Sequence, residues 1–376
     1  MATLLERANQ YIDENRQRFI DQIVEMAKIP APSNHEELRA KYCKEYMESF
    51  GAKGVYIDEA LNVVYPYYAE GCNELVVIMG HSDVVFPDTT ELPIKVEGDK
   101  IMGPGVGDDT ANAIAVMDMA RFVTENNLKP KQGILFVVDA GEEGLGNLKG
   151  SRKILEDYGS RTAEVLAIDG GYKGICNDAV GSMRYNIKIT TEGGHSYGAF
   201  GNRNAIHYAA TMINTLYSLK VPAIGKTTYN VGIINGGTSV NTIAQNCEFM
   251  YEYRSDKKAA IEQMDKMFAA TIEAFKQYGI GVEVEVLGNR PCSADFDNSP
   301  LTNKIKAIAA KHGNDMHEHA GSTDCNVWLA KSIPAVCFGV YEGQGAHTRE
   351  EWISISSMDI GKKIFAEVVL SYFDEQ

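Results

Sequence analysis

Three stretches of the chain are apolar almost without interruption: Leu75-Val76-Val77-Ile78-Met79, Gly133-Ile134-Leu135-Phe136-Val137-Val138 and Val165-Leu166-Ala167-Ile168. Runs of this length and continuity suit strands of a parallel sheet covered on both faces. Between them lie segments with helical spacing. Leu38, Tyr42, Tyr46, Met47 and Phe50 recur every three or four residues and stop at Gly51, a residue suited to a helix C-terminus. Ala111 to Phe122, rich in Ala and Met, predicts another helix. From Ala2 to Met26, Leu5, Tyr11, Ile12, Phe19, Ile20 and Ile23 are interleaved with Glu6, Arg7, Asp13, Glu14, Arg16 and Arg18. That stretch reads as one amphipathic helix of the fold rather than a secretion signal, which needs a continuous apolar centre.

The pattern changes after Cys176. Arg184 to Thr190, Cys247 to Arg254 and Val282 to Val286 alternate apolar and polar residues, as strands with one wet face do. With a strand near Tyr229 to Ile233 and helices over Ala205 to Leu219 and Lys257 to Tyr278, the order becomes β-α-β-β-α-β, the ferredoxin-like arrangement. From about Cys292 the first pattern resumes, with a helix from Leu301 to Lys311, the strand Ala335-Val336-Cys337-Phe338 and a closing helix from Met358 to Phe373. The expected fold is α/β with a ferredoxin-like insertion: residues 1–180 and 291–376 as one domain, residues 181–290 as the inserted one.

Composition narrows the field of functions. The chain has 376 residues, more than one core usually serves, so two domains are the default. A formal net charge of −15 argues against nucleic acid or an anionic membrane as partner, since both select basic patches. No run approaches the roughly 20 apolar residues of a membrane span. The seven cysteines are scattered and never spaced as CxxC, which reads as reduced thiols in a cytoplasmic protein.

Polar residues follow the apolar runs closely. His81 and Asp83 follow the first, Glu142 and Glu143 the second and Asp169 the third; Asp108 precedes a helix and His347 lies in a loop near the C-terminus. Taken singly, each has an ordinary explanation: a turn or surface histidine, an Asp in a turn, helix capping by Asp108 or Asp109. Taken together, they supply the imidazole and carboxylate groups that a pair of divalent ions needs, including a carboxylate to bridge them.

These residues stand in motifs that resemble the M20 family of metallopeptidases and deacylases: His81-Ser82-Asp83, Gly105-Val106-Gly107-Asp108-Asp109, Gly141-Glu142-Glu143-Gly144, Asp169-Gly170, Gly194-His195-Ser196, Gly321-Ser322-Thr323-Asp324 and Ala346-His347-Thr348. They occur in the family's order over nearly the whole chain. The resemblance implies two zinc ions per subunit, with Co2+ or Mn2+ able to substitute. Asp108 would be shared between the ions, His81 and Asp169 would complete one site, and Glu143 and His347 the other. Asp83 would hold the His81 ring from behind. Glu142 would be the general base that takes a proton from the attacking water between the ions and returns it to the leaving amine. Several relatives carry a lysine where this chain has Thr110; the ligand position itself is retained.

By the same resemblance, residues 181–290 are a lid that pairs two subunits into a homodimer. His195 would reach the neighbouring active site and stabilise the oxyanion. Asn241, near Asn235-Gly236-Gly237-Thr238, would hold substrate backbone, a Gly-rich hairpin being the alternative. Arg254 is either a clamp for a substrate carboxylate or a salt-bridged lid residue. The resulting expectation is a cytoplasmic di-zinc peptidase acting on short peptides as an aminopeptidase. A carboxypeptidase or an N-acyl-amino-acid deacylase with the same metal centre is the alternative. A metal-dependent binding protein without catalysis is the reading from another class, and the retained Glu142 argues against it.

Overall fold

In the computed structural model, which describes residues 2–374, the apolar runs become neighbouring strands. Leu75–His81 and Gly133–Asp139 are buried at every position. They run parallel to each other and to Thr162–Ala167 and Ala335–Cys337. Alternate side chains enter two separate cores: Val76, Ile78, Ile134, Phe136 and Leu166 on one face, Val77, Met79, Leu135, Val137 and Val165 on the other. This is why no polar alternation shows in the sequence. The complete sheet has eight strands, in the order Tyr56–Ile57, Val63–Tyr67, Gly133–Asp139, Leu75–His81, Thr162–Ala167, Ala335–Cys337, Gly174–Ala179, His317–Gly321. The loops after the parallel strands therefore gather at one sheet edge, the ligand-binding edge of open α/β sheets.

The chain divides into two compact units. One ends at Ala179 and resumes at Ala294; the other is Val180–Ser293. Taken by itself, the inserted unit has a four-stranded antiparallel sheet ordered Thr227–Gly236, Asn246–Ser255, Gly181–Thr190, Gly281–Arg290. With helices Ala205–Ser218 and Lys258–Lys276 it is the ferredoxin-like βαββαβ unit. Ile187, Ile189, Phe249, Tyr251 and Tyr253 form its core with Met212, Phe268 and Phe275 of the helices.

Two features differ from the sequence expectation. The N-terminal segment is two helices, Leu4–Glu14 and Arg16–Lys28. Asn15 separates them, with its side-chain amide donating to the Tyr11 carbonyl at 2.8 Å. A short polar side chain that competes for backbone groups interrupts the helix without disturbing the apolar spacing on either side. A second four-stranded sheet, built from Lys95–Glu97, Lys100–Met102, Gly343–Gln344 and Trp352–Ser354, was not expected. Its strands are too short to show a period, and Lys95–Glu97 is wholly exposed. No helix among the described residues is long and apolar enough to cross a membrane, and all seven cysteines are free thiols.

Candidate metal centre

His81 ends its strand buried, with its backbone N–H on Asp109 Oδ2 at 2.9 Å. Its Nδ1 lies 3.1 Å from the carbonyl of Asp83 and 3.5 Å from the Asp83 carboxylate. Nδ1 donating to that carbonyl makes Nε2 the nitrogen with the free lone pair, the form a metal requires. Nε2 points at Asp108 Oδ1, 3.1 Å away. The other oxygen of Asp108 lies 3.1 Å from Nε2 of His347. One carboxylate thus presents one oxygen to each imidazole.

His347 also lies 3.1 Å from Glu143 Oε1, yet this oxygen has no hydrogen-bond partner among the described residues. His347 Nε2 thus lies at 3.1 Å from one oxygen of Asp108 and one of Glu143, three donor atoms close enough to serve one ion. Ligand atoms converge within 4.8 Å of one another in three sets: His81, Asp108 and Asp169; Asp108, Glu143 and His347; and His81, Glu142 and Glu143. The first two share Asp108. Imidazole nitrogen with carboxylate oxygen is a donor set that fits a pair of divalent ions, zinc among them.

The charges respond to this crowding. Asp108, although burial opposes it, is held well below the usual carboxylate range by His347 and His81. Asp169 is pushed up to about 7 by removal from water and by Asp108 and Glu143 nearby. Burial and Asp108 likewise raise Glu143. His347 is raised to about 10 by its contacts with Asp108 and Glu143. Such repulsion among carboxylates is relieved when a cation binds.

Asp83 has a larger part than a partner to the His81 ring. Its fully buried carboxylate accepts the backbone N–H groups of Glu142 and Glu143, each at 3.0 Å, and the Ser33 hydroxyl at 2.6 Å. The paired glutamates are thereby fixed by their main chain. Other buried acids were given another part by the sequence, or none. Asp109 does not cap the following helix, whose first turn has no side-chain cap; it holds His81 and the Asn112 amide. Glu351 accepts the backbone N–H groups of Gly105, Gly107 and Asp108. Asp139 and Asp324 lie close to Glu142, and burial raises both; only Asp324 had a signal, its place in Gly321-Ser322-Thr323-Asp324.

Within the inserted unit, Gly194–His195 pairs with Thr242–Ile243, and the Ser196 N–H donates to the Asn241 carbonyl at 2.9 Å. His195 and Asn241 are therefore neighbours. Nδ1 of His195 accepts the N–H groups of Tyr197 and Gly198, both at 3.2 Å, so in the neutral ring Nε2 carries the proton. Asn241 Oδ1 accepts from Ser239 at 2.8 Å. Arg254 is paired with Glu252 through Nε and Nη2, at 3.1 and 3.0 Å.

Fold and site together define a metal-dependent hydrolase. The chain belongs to peptidase family M20/M25/M40, whose family profile matches residues 77–371. It is similar to the succinyl-diaminopimelate desuccinylase of Corynebacterium glutamicum, 26% identical over 352 residues that cover 89% of each chain. Among solved structures, the aminopeptidase PepT of Bacillus cereus matches with a TM-score of 0.70 at 23% identity, over 94% of this chain and 98% of that one. YxeP of Bacillus subtilis, described as a dinuclear metal binding peptidase from the M20 family, matches with a TM-score of 0.66 at 17% identity, over 96% and 100%.

Proposed function

We propose that the protein holds two zinc ions, replaceable by Co2+ or Mn2+, and hydrolyses short peptides as an aminopeptidase. The observation that carries this reading is the pair of three-donor sets sharing Asp108, with Glu142 outside both yet within reach of His81 and Glu143. His81 and Asp169 would hold one ion, Glu143 and His347 the other, and Asp108 would serve both. Bound there, the ions supply Lewis acidity and lower the pKa of water.

The chain's own residues do the rest. Glu142 takes the proton of the attacking water and delivers it to the leaving amine. Asp83 keeps Glu142 and Glu143 in register through their backbone N–H groups. His195, whose Nδ1 is occupied as an acceptor, offers Nε2–H to the developing oxyanion across a homodimer formed through the inserted unit. Asn241, beside it, holds substrate backbone. Arg254 is engaged by Glu252, which favours a structural part for it.

A second reading, N-acyl-amino-acid deacylation with the same residues, is favoured by the likeness to the desuccinylase. The two separate on one assay: cleavage of Ala-Ala-Ala against N-acetyl-Ala-Ala-Ala, with and without chelator. Cleavage of the free-amine peptide alone, abolished by chelator, supports the aminopeptidase. Cleavage of the acylated one moves the assignment to the deacylase. If neither they nor a wider panel of short peptides and N-acyl amino acids is cleaved by protein shown to carry two ions, both readings fall.

A further inference from the structure

Glu351 is a buried carboxylate whose hydrogen-bond partners are the main chain of another loop. Oε2 accepts the N–H of Gly105 at 2.7 Å, and Oε1 accepts those of Gly107 at 2.9 Å and Asp108 at 2.8 Å. Its own carbonyl accepts the N–H of Gly103 at 2.9 Å. The segment from Gly103 to Asp109 is irregular: Gly105 is left-handed at φ +70°, and Asp108 and Asp109 depart from helical backbone. Its N–H groups have no ladder of their own, so a buried acceptor must satisfy them. Successive N–H groups converging on one anion form a nest, which in other proteins takes up a phosphate or another anion. Here the acceptor, a buried carboxyl group, is supplied by the chain itself.

The loop it satisfies carries Asp108, the residue common to both three-donor sets. The strand Glu351 leads into, Trp352–Ser354, pairs with Lys100–Met102 just before that loop, and with Gly343–Gln344 just before His347. Glu351 is thus the point where the His347 segment and the Asp108 segment are fastened together. Gly107 leaves no room for adjustment, since a Cβ there would lie 2.7 Å from Tyr341 and 2.8 Å from Glu351 Oε1. We infer that Glu351 is a positioning residue for the metal centre: by holding the main chain at Asp108 it aims that carboxylate's two oxygens at the two ion positions. This rests on the two-ion reading of the site.

Glu351→Gln tests it, because the amide keeps the shape but turns one oxygen acceptor into a donor facing backbone N–H groups. The readout is the rate at which zinc passes from the loaded full-length protein to a chromophoric chelator, with kcat and KM measured alongside. The expected result is release faster by about 10–100-fold and a fall in kcat with KM little changed. A Co2+-loaded sample should also show an altered visible spectrum, which a remote packing defect would leave alone. A folded Glu351→Gln protein with wild-type release, spectrum and kcat would overturn the inference. Should that variant not fold, Glu351→Asp keeps the charge but withdraws it by one methylene, and ions held as tightly as in wild type would overturn the inference equally. Wild-type protein that binds no ions would instead remove the two-ion reading itself.

Discussion

The carboxylate of Asp83 accepts the backbone N–H of Glu142 through Oδ1 at 3.0 Å, while its other oxygen takes the N–H of Glu143. The main chain of both residues, the proposed base and a proposed ligand, is therefore set by one buried acid on a different loop. Asp83→Asn replaces one of these acceptors with a donor. Activity is expected to fall about 10–100-fold, the range seen when the partners of metal ligands are changed. Metal content and kcat measured on the same sample check this; unchanged kcat would assign Asp83 to packing alone.

Glu142→Gln should retain fold and both ions but lose turnover by about 10²–10⁴-fold, the contribution of general-base transfer. The swap conserves volume but turns one carboxylate oxygen into an amide donor, and so removes the proton acceptor. Near-normal kcat would mean that Glu142 is not the base.

His195→Ala is expected to lower kcat by about 10²–10³-fold without loss of zinc, the scale for one oxyanion donor. If the histidine serves the partner's site, co-expressing this variant with Glu142→Gln restores part of the activity. Mixed dimers then contain one site with an intact Glu142 and an intact His195. A demonstrated heterodimer without recovery would confine His195 to its own subunit.

Zinc binding to metal-stripped protein should tighten as pH rises from about 6 to about 8, by up to tenfold per pH unit for each proton displaced. His347, raised to about 10 by Asp108 and Glu143, is cationic when the ion is absent, and Asp169, raised to about 7, is part-protonated. Both must release protons to act as ligands. The ion-free fold responds in the opposite sense. What His347 contributes is complete below its ordinary value of about 6.5 and lost as pH rises through about 10. The cost of ionising Asp169 accumulates from the ordinary carboxyl range up to about 7. Calorimetric titrations in buffers of different ionisation enthalpy count the protons, and pH-independent affinity would contradict these assignments.

A prediction about stability alone comes from Asp118, buried between Lys362 Nζ at 3.1 Å and Arg18 at 2.8 Å. Asp118→Asn leaves Lys362 buried without a compensating charge, so unfolding free energy should drop by about 3–5 kcal/mol. Urea unfolding measures it directly. A loss under about 1 kcal/mol would show that water reaches the lysine.

Much of this was legible in the chain because parallel strands buried on both faces have no polar positions to blur them. Leu75–His81 and Gly133–Asp139 announce themselves as apolar runs, and the residues just beyond them are where the sheet edge delivers side chains. The alternation in Asn246–Ser255 likewise marks a sheet with one covered face. Glu351 could not be found this way. In Arg349-Glu350-Glu351 it reads as one of several surface charges, and only the approach of the Gly103–Asp109 loop makes it a buried acceptor. Asp109 was weighed as a helix cap because local patterns favour that use; its true partner, the His81 N–H, lies far away in sequence. The break at Asn15 is hidden because helical periodicity continues through it.

The interruption of the first unit between Ala179 and Ala294 orders events in time as well as in space. Synthesis proceeds from the N-terminus, so every residue of the inserted unit has been made before Ala335–Cys337 and His347 exist. When the inserted unit is complete the large sheet still lacks two of its strands, His317–Gly321 and Ala335–Cys337, and the acids Asp108, Glu143 and Asp169 stand without the histidine of the second donor set. The inserted unit is one contiguous stretch of chain, and its host is not. A nascent chain stopped short of residue 347 lacks a donor of the set Asp108, Glu143 and His347, and on the two-ion reading it should show no hydrolase activity.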